Sequence, residues 1–298
     1  SVDVKTIAAP IGQISTGLAG KLAGVVAMQR SGEPGASAEF WIRGVNTFGA
    51  NSTPLILVDG VERSMDLVDV EDIESFSILK DATATALYGV RGANGIVLIT
   101  TRRGEESKPQ INIKVESGFT SPTKLPRMAD TEQYIDFFNQ LASDEGRTDM
   151  LISEYDKQMY LSGIDPDLYP SVDWVNEIFK NQAMTTKANV NVTGGNKNVR
   201  YYVGGSYYFE DGILNTVNNG VYSTQLNYQK FNFRSNIDIN ITKSTVLGVS
   251  LSTQFTVRNA PGGDLSSILD ATMKNTPIAI PLIYSDGTLS DHQYAANP

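Results

Sequence analysis

Few residues of this chain are equipped for bond-making chemistry. It has no cysteine, which removes thiolate nucleophiles, thiolate-bound zinc and disulfides. The single histidine, His292, adjoins Asp291 and reads as a surface pair rather than as part of a catalytic triad. Acidic residues number 33, so neighbours such as Glu71/Asp72 and Asp165/Asp167 read as solvated loop charges. No stretch follows the Asp-x-Asn/Asp-x-Asn/Asp-Gly order of a calcium loop. Gly89, Gly92 and Gly95 are three apart, but they precede a strand-like run. A dinucleotide fingerprint follows a strand and opens a helix, so these glycines read as turn residues. Gly20-Lys21 lacks the upstream glycine and the following Ser or Thr of a phosphate loop. What remains are groups suited to recognition. Tyr202 and Tyr208 fall on the polar face of a strand and could stack on a sugar or pack at an interface. Arg43 and Arg91 each lie beside a turn glycine.

Composition bounds what could position these groups. The chain has 298 residues, 19% charged and 41% apolar, which suits a folded protein. The net charge is −9 and no basic stripe is visible, so a nucleic-acid partner is not expected. No apolar run approaches the roughly 20 residues of a membrane helix. A transmembrane barrel is not excluded by this, because its strands alternate and are nearly silent to hydropathy. No signal peptide is recognised, and residue 1 reads as lying inside a domain.

Residues 1–109 read as a small mixed α/β unit. A short helix is predicted over 14–22, and strands over 25–29, 39–43, 55–58 and 73–79. A loop dense in turn formers spans 30–37. Asp59-Gly60 is a turn signal. Leu79 to Gly104 packs several local instructions together. Asp81 can cap a short helix over 82–88, Gly89 can end it, a glycine turn follows, and Ile96 to Thr101 is a β-branched strand.

After a hinge over 105–109 the pattern changes to period two. Five segments alternate apolar and polar residues, beginning at Ile111, Lys187, Arg200, Phe231 and Leu247. The fourth and fifth are about twice the usual strand length of 5–6 residues, enough to cross a bilayer at a tilt. One face is aliphatic and aromatic, and the other is polar but mostly uncharged, as a wet lumen would be. Connections alternate long and short, which matches short periplasmic turns and longer extracellular loops. The first connection, about 119–183, carries predicted helices. One is capped by Asp130 with Gln133 completing a capping box and Tyr134, Phe137, Phe138 and Leu141 on one face. A second spans 144–161, and a short third spans 173–179.

Leu79-Lys80-Asp81, Ala82, Ala84, Ala86, Tyr88-Gly89, Arg91, Ala93-Asn94-Gly95 and Ile99 to Gly104 together resemble the plug-domain signature of TonB-dependent outer-membrane transporters. The SusC/RagA-like branch is the nearest in pattern; Val90 is bulkier than that pattern has. Ile42-Arg43-Gly44, Val58-Asp59-Gly60 and the Asp173-Trp174 to Phe179 run before Gly194-Gly195 are similar to further marks of that branch.

The resemblance implies a membrane β-barrel of about 22 strands with an N-terminal mixed α/β plug, of which this chain would hold the plug (1–109) and about five strands (110–298). A signal and TonB-binding segment upstream and some 17 further strands downstream would complete it. The implied function is import of a bulky nutrient, an oligosaccharide or glycan ahead of a peptide, across the outer membrane of a Gram-negative bacterium. The implied partners are a SusD-like lipoprotein lid, a TonB-type energy-coupling protein and outer-membrane lipids, with no cofactor, no metal and no bond chemistry. Arg43 and Arg91 would either lock the plug to carboxylates on the barrel wall or be solvated. Arg30, Glu33, Glu39, Glu62, Arg63 and Asp66 would lie at the extracellular end of the plug and meet substrate, or only water and wall. The rival readings are a secreted or surface β-rich carbohydrate-binding module and a hydrolase.

Overall fold

A computed structural model describes residues 11–18, 20, 21, 24–42, 53–79, 88–92, 94–215, 225–292, 295 and 296. The chain packs as two units. The first comprises 1–119, 184–212 and 227–259, and the second 120–183, 213–226 and 260–298.

The first unit begins with a short helix, α1 (Ile14–Gly17), and a two-stranded antiparallel ribbon of β1 (Val25–Met28) and β2 (Glu39–Ile42). A four-stranded sheet follows, built from β3 (Leu55–Val58), β4 (Val61–Glu62), β5 (Ile73–Leu79) and β6 (Ile96–Thr101) in the order β4-β3-β6-β5. β3 and β6 pair in parallel, and both are continuous apolar runs, as strands covered on both faces require. Their side chains pack with Met65, Val68, Ile73 and Phe76 in the main core, joined by Ile14 and Leu18. β4 is an addition to the strands expected. Asp59 (φ 49°) and Gly60 (φ 82°) both take the left-handed conformation, the requirement of a tight two-residue hairpin, and β4 pairs back onto β3.

Five long strands complete this unit: β7 (Gln110–Thr120), β8 (Ala183–Gly195), β9 (Val199–Asp211), β10 (Asn227–Asn240) and β11 (Val246–Asn259). They form one sheet in the order β11-β10-β9-β8-β7, with neighbours adjacent in sequence. They run 11, 13, 13, 14 and 14 residues, each long enough for the 9–11 needed to cross a bilayer. The alternation reads directly in exposure. On β8 to β10, Lys187, Asn189, Tyr202, Ser206, Lys230, Arg234 and Asn236 are buried. Val190, Phe231 and Phe233 on the other face are exposed, as are Ile113 on β7 and Leu251 and Phe255 on β11. No helix among the described residues is long and apolar enough to cross a membrane.

The second unit holds α2 (Thr131–Asp144), α3 (Glu154–Ser162), α4 (Trp174–Ile178) and α5 (Leu265–Lys274). The expected capping box on α2 is present: Gln133 N donates to Asp130 Oδ1 at 2.8 Å, and Asp130 N donates to Gln133 Oε1 at 3.3 Å. Two expectations change. α2 buries Ile135 and Ala142, whereas Phe137 and Leu141 are exposed. The next helix starts at Glu154 rather than 144, because Gly146 (φ 72°) ends α2 and the Ser153 hydroxyl caps α3. Val175, Phe179, Leu214 and Leu226 form the small core of this unit, with Leu265, Ile268 and Leu269 of α5 against it.

Candidate functional site: a buried ionic seam

The polar face of β8, β9 and β10 closes over one stretch of the small sheet, Asp59 to Asp72. That stretch holds two 3-10 turns, Met65–Leu67 and Val70–Asp72, capped by Ser64 and Asp69. These turns place carboxylates against the strands at an (i, i+3) spacing.

Asp69 is buried and accepts from Glu71 N (2.9 Å) and Ser206 Oγ (2.7 Å), and Lys187 Nζ stands 3.0 Å away. Burial alone would raise its carboxyl, but Lys187 and these donors outweigh burial and hold it below the usual carboxylate range. Asp72 is also buried, and its carboxyl is pushed up to about 6. Burial is the largest cause and nearby Asp69 adds to it, against the Tyr202 hydroxyl and Arg234. Tyr202 donates to Asp72 at 2.6 Å, and Arg234 Nε lies 3.5 Å from its second oxygen. Arg234 also reaches Asp59 at 3.7 Å, whose carboxylate accepts from Thr101 N and Oγ1 at 2.9 and 2.7 Å. Asn236 donates to Thr101 Oγ1 and to the Arg102 carbonyl at 3.0 and 2.7 Å. Lys230, buried, donates to the carbonyls of Gly12 (3.0 Å) and Asp66 (2.6 Å). Glycine makes the approach possible at Gly204, where a Cβ would stand 2.8 Å from Asp72 Oδ1. Three cations from the strands thus meet three carboxylates and two carbonyls of the small unit. The site is a clamp between strands and plug.

Residues 1–96 match the TonB-dependent Receptor Plug Domain family. A TonB-dependent receptor of Formosa agariphila is 32% identical over 80% of this chain and 23% of its own length. The TonB-dependent receptor SusC of Bacteroides thetaiotaomicron is 29% identical over 78% of this chain and 22% of its own. The structure of the RagAB peptide importer in its open-open state is similar over 99% of this chain and 35% of that one, at a TM-score of 0.77 and 26% identity. The chain belongs to the SusC/RagA-like TonB-dependent receptors. It spans about a quarter of the length of the curated relatives it matches. Its small α/β unit is the receptor plug, and its five long strands are a stretch of the barrel.

In this receptor segment the residues singled out from sequence are engaged in different ways. Arg30 and Glu39 pair at 2.9 Å on the surface, and Arg91 pairs with Glu62, also exposed. The Arg91 guanidinium is engaged by Glu62 within the plug. Arg43 lies outside the described residues. Glu33 pairs with Arg258 of β11, and Arg63 reaches Ser252 at 3.4 Å, so both touch the barrel wall. Asp66 accepts from Ser15 N and Oγ at 2.9 and 2.8 Å, which fixes α1 rather than leaving it free for a ligand. Tyr202 is 0% exposed and Tyr208 4% exposed, so neither offers a face to a sugar. The wet face they line is filled by the plug, with Tyr208 packed against Gly12. Asp72 is not a solvated loop charge, and the charges of the lock are reversed: cations on the wall, carboxylates on the plug. The signal for this was present in sequence. Lys187, Lys230 and Arg234 are cations on strand faces that are otherwise mostly uncharged.

Proposed function

We propose that the chain is the plug (1–109) and first barrel strands (110–298) of a receptor that imports a bulky nutrient, oligosaccharide or peptide, across the outer membrane of a Gram-negative bacterium. A SusD-like lipoprotein caps it and a TonB-type protein energises it from the periplasm. The helical stretch 119–183 lies on the extracellular side. One observation carries this reading. The same strands that bury Lys187, Lys230 and Arg234 against the plug turn Val190, Phe231 and Phe233 outward. A soluble carbohydrate-binding module gains nothing from a broad apolar outer face, whereas lipid requires one.

The work is binding and plug rearrangement. With Tyr202 and Tyr208 buried, the sequence-based support for glycan over peptide falls away, and the RagAB relative is a peptide importer. The test is extraction and uptake by the full-length receptor. It should fractionate with outer membranes and need detergent for release, and its deletion should abolish growth on its polymeric nutrient. Recovery in the aqueous fraction without detergent would overturn the transporter reading in favour of a surface binding module.

A further inference from the structure

A cavity of about 630 Å³ opens within the second unit, between the 125–132 segment, Leu161 and the 171–176 segment. This size suits a small ligand or the end of a polymer. Its frame is fixed by hydrogen bonds. Val172 N donates to the Pro277 carbonyl (2.9 Å), Trp174 Nε1 to the Thr276 carbonyl (3.0 Å), and the Thr131 and Ser171 hydroxyls meet at 2.7 Å.

The charges around the cavity are unevenly engaged. Asp130 caps α2, Asp173 accepts from Asn176 N and Nδ2, and Glu132 stands 3.5 Å from Lys157. Arg127 is exposed on the wall and, among the described residues, has no hydrogen-bond or ion-pair partner. Beside it the accessible wall combines the apolar side chains of Leu125, Met128 and Leu161 with the polar ones of Ser171, Asn176 and Asn181. Trp174 is 3% exposed, so it gives no ring face for stacking. A free guanidinium favours a planar carboxylate, which it can grip with two parallel hydrogen bonds. Leu and Met walls favour an apolar side chain, and Met adapts to several.

We propose that this cavity is a peptide subsite, in which Arg127 holds the C-terminal carboxylate of a short peptide and Leu125, Met128 and Leu161 receive its last side chain. The proposal rests on the reading of the chain as an outer-membrane receptor and names its substrate class.

Purified full-length receptor is titrated calorimetrically with a hexapeptide ending in leucine, with the same peptide amidated at its C-terminus, and with hexagalacturonate. The free acid should bind more tightly than the amide. Arg127→Ala should weaken the free acid about tenfold or more, the size of a lost charge-assisted hydrogen bond, and leave the amide unchanged. Arg127→Lys should restore part of the loss. Equal binding of acid and amide, no effect of R127A, or Arg127-dependent binding of hexagalacturonate alone would each overturn the peptide subsite. Membrane fractionation of the same receptor keeps the two readings apart. Acid-selective, Arg127-dependent binding by a receptor found outside the membrane would uphold the subsite and overturn transport.

Discussion

Lys187 and Asp69 face each other at 3.0 Å, one on a barrel strand and the other on a plug turn, with both side chains almost wholly shielded from water. Removing one partner of such a pair leaves the other buried and uncompensated, at a cost of about 3–5 kcal/mol. Lys187→Met should therefore loosen the plug by an amount of that order. Hydrogen exchange at the Glu71 amide, which donates to Asp69, reports the loosening locally. The double variant with Asp69→Asn should recover most of the protection, since the stranded charge is gone.

Asp72 gives the seam a pH dependence. Its carboxyl is raised from 3.8 to about 6 in the folded receptor, so folding favours its protonated form. The stabilisation is full below pH 3.8 and is lost as pH rises through about 6. Asp69 works in the opposite sense, but its carboxyl is depressed, so its effect is lost only at pH values below that window. Between pH 7 and pH 5 the plug should tighten, by on the order of 1 kcal/mol. Asp72→Asn should flatten this slope in thermal unfolding curves recorded across that range.

Gly95 stands at φ 90°, and a Cβ there would meet Ile42 Cδ1 at 2.7 Å. Gly95→Val combines a disfavoured backbone with overpacking, about 1–3 kcal/mol for the latter alone. The yield of folded receptor in outer-membrane fractions should fall, while the molecules that assemble bind nutrient normally. Normal assembly with failed binding would overturn the packing role of this turn.

Phe255 lies on the outward face of β11, in a row with Phe231 and Tyr207. Phe255→Arg should cost about 2–4 kcal/mol if that face meets the bilayer midplane, and it should show as reduced membrane assembly. On a soluble module the same change would be harmless or would improve solubility.

The strands were legible because alternation is a local property: Phe231, Phe233 and Ile237 announce one face of β10 whatever lies against it. The α2 capping box and the Asp59-Gly60 turn were legible for the same reason, although the strand that returns after that turn was not. The seam was not. Asp69 and Asp72 look like any loop carboxylates until β8 and β10 are laid over them, more than a hundred residues downstream. The buried face of α2 was misread because Phe137 and Ile135 are both apolar, and only the partner surface decides which turns inward. α5 lies beyond the last alternating segment and gave no strand-like cue at all.

The alternation of Lys230, Phe231, Asn232, Phe233 and Arg234 along β10 makes the plug a proofreader of strand register. Side chains on a strand change faces with every residue. A slip of one position would carry Lys230 and Arg234 to the lipid side and press Phe231 and Phe233 against Asp59, Asp66 and Asp72. Both halves of that error are costly, the stranded cations and the abandoned carboxylates. A one-residue slip of β10 is therefore penalised twice, by charge on the face that meets the plug and by apolar side chains on the face that leaves it.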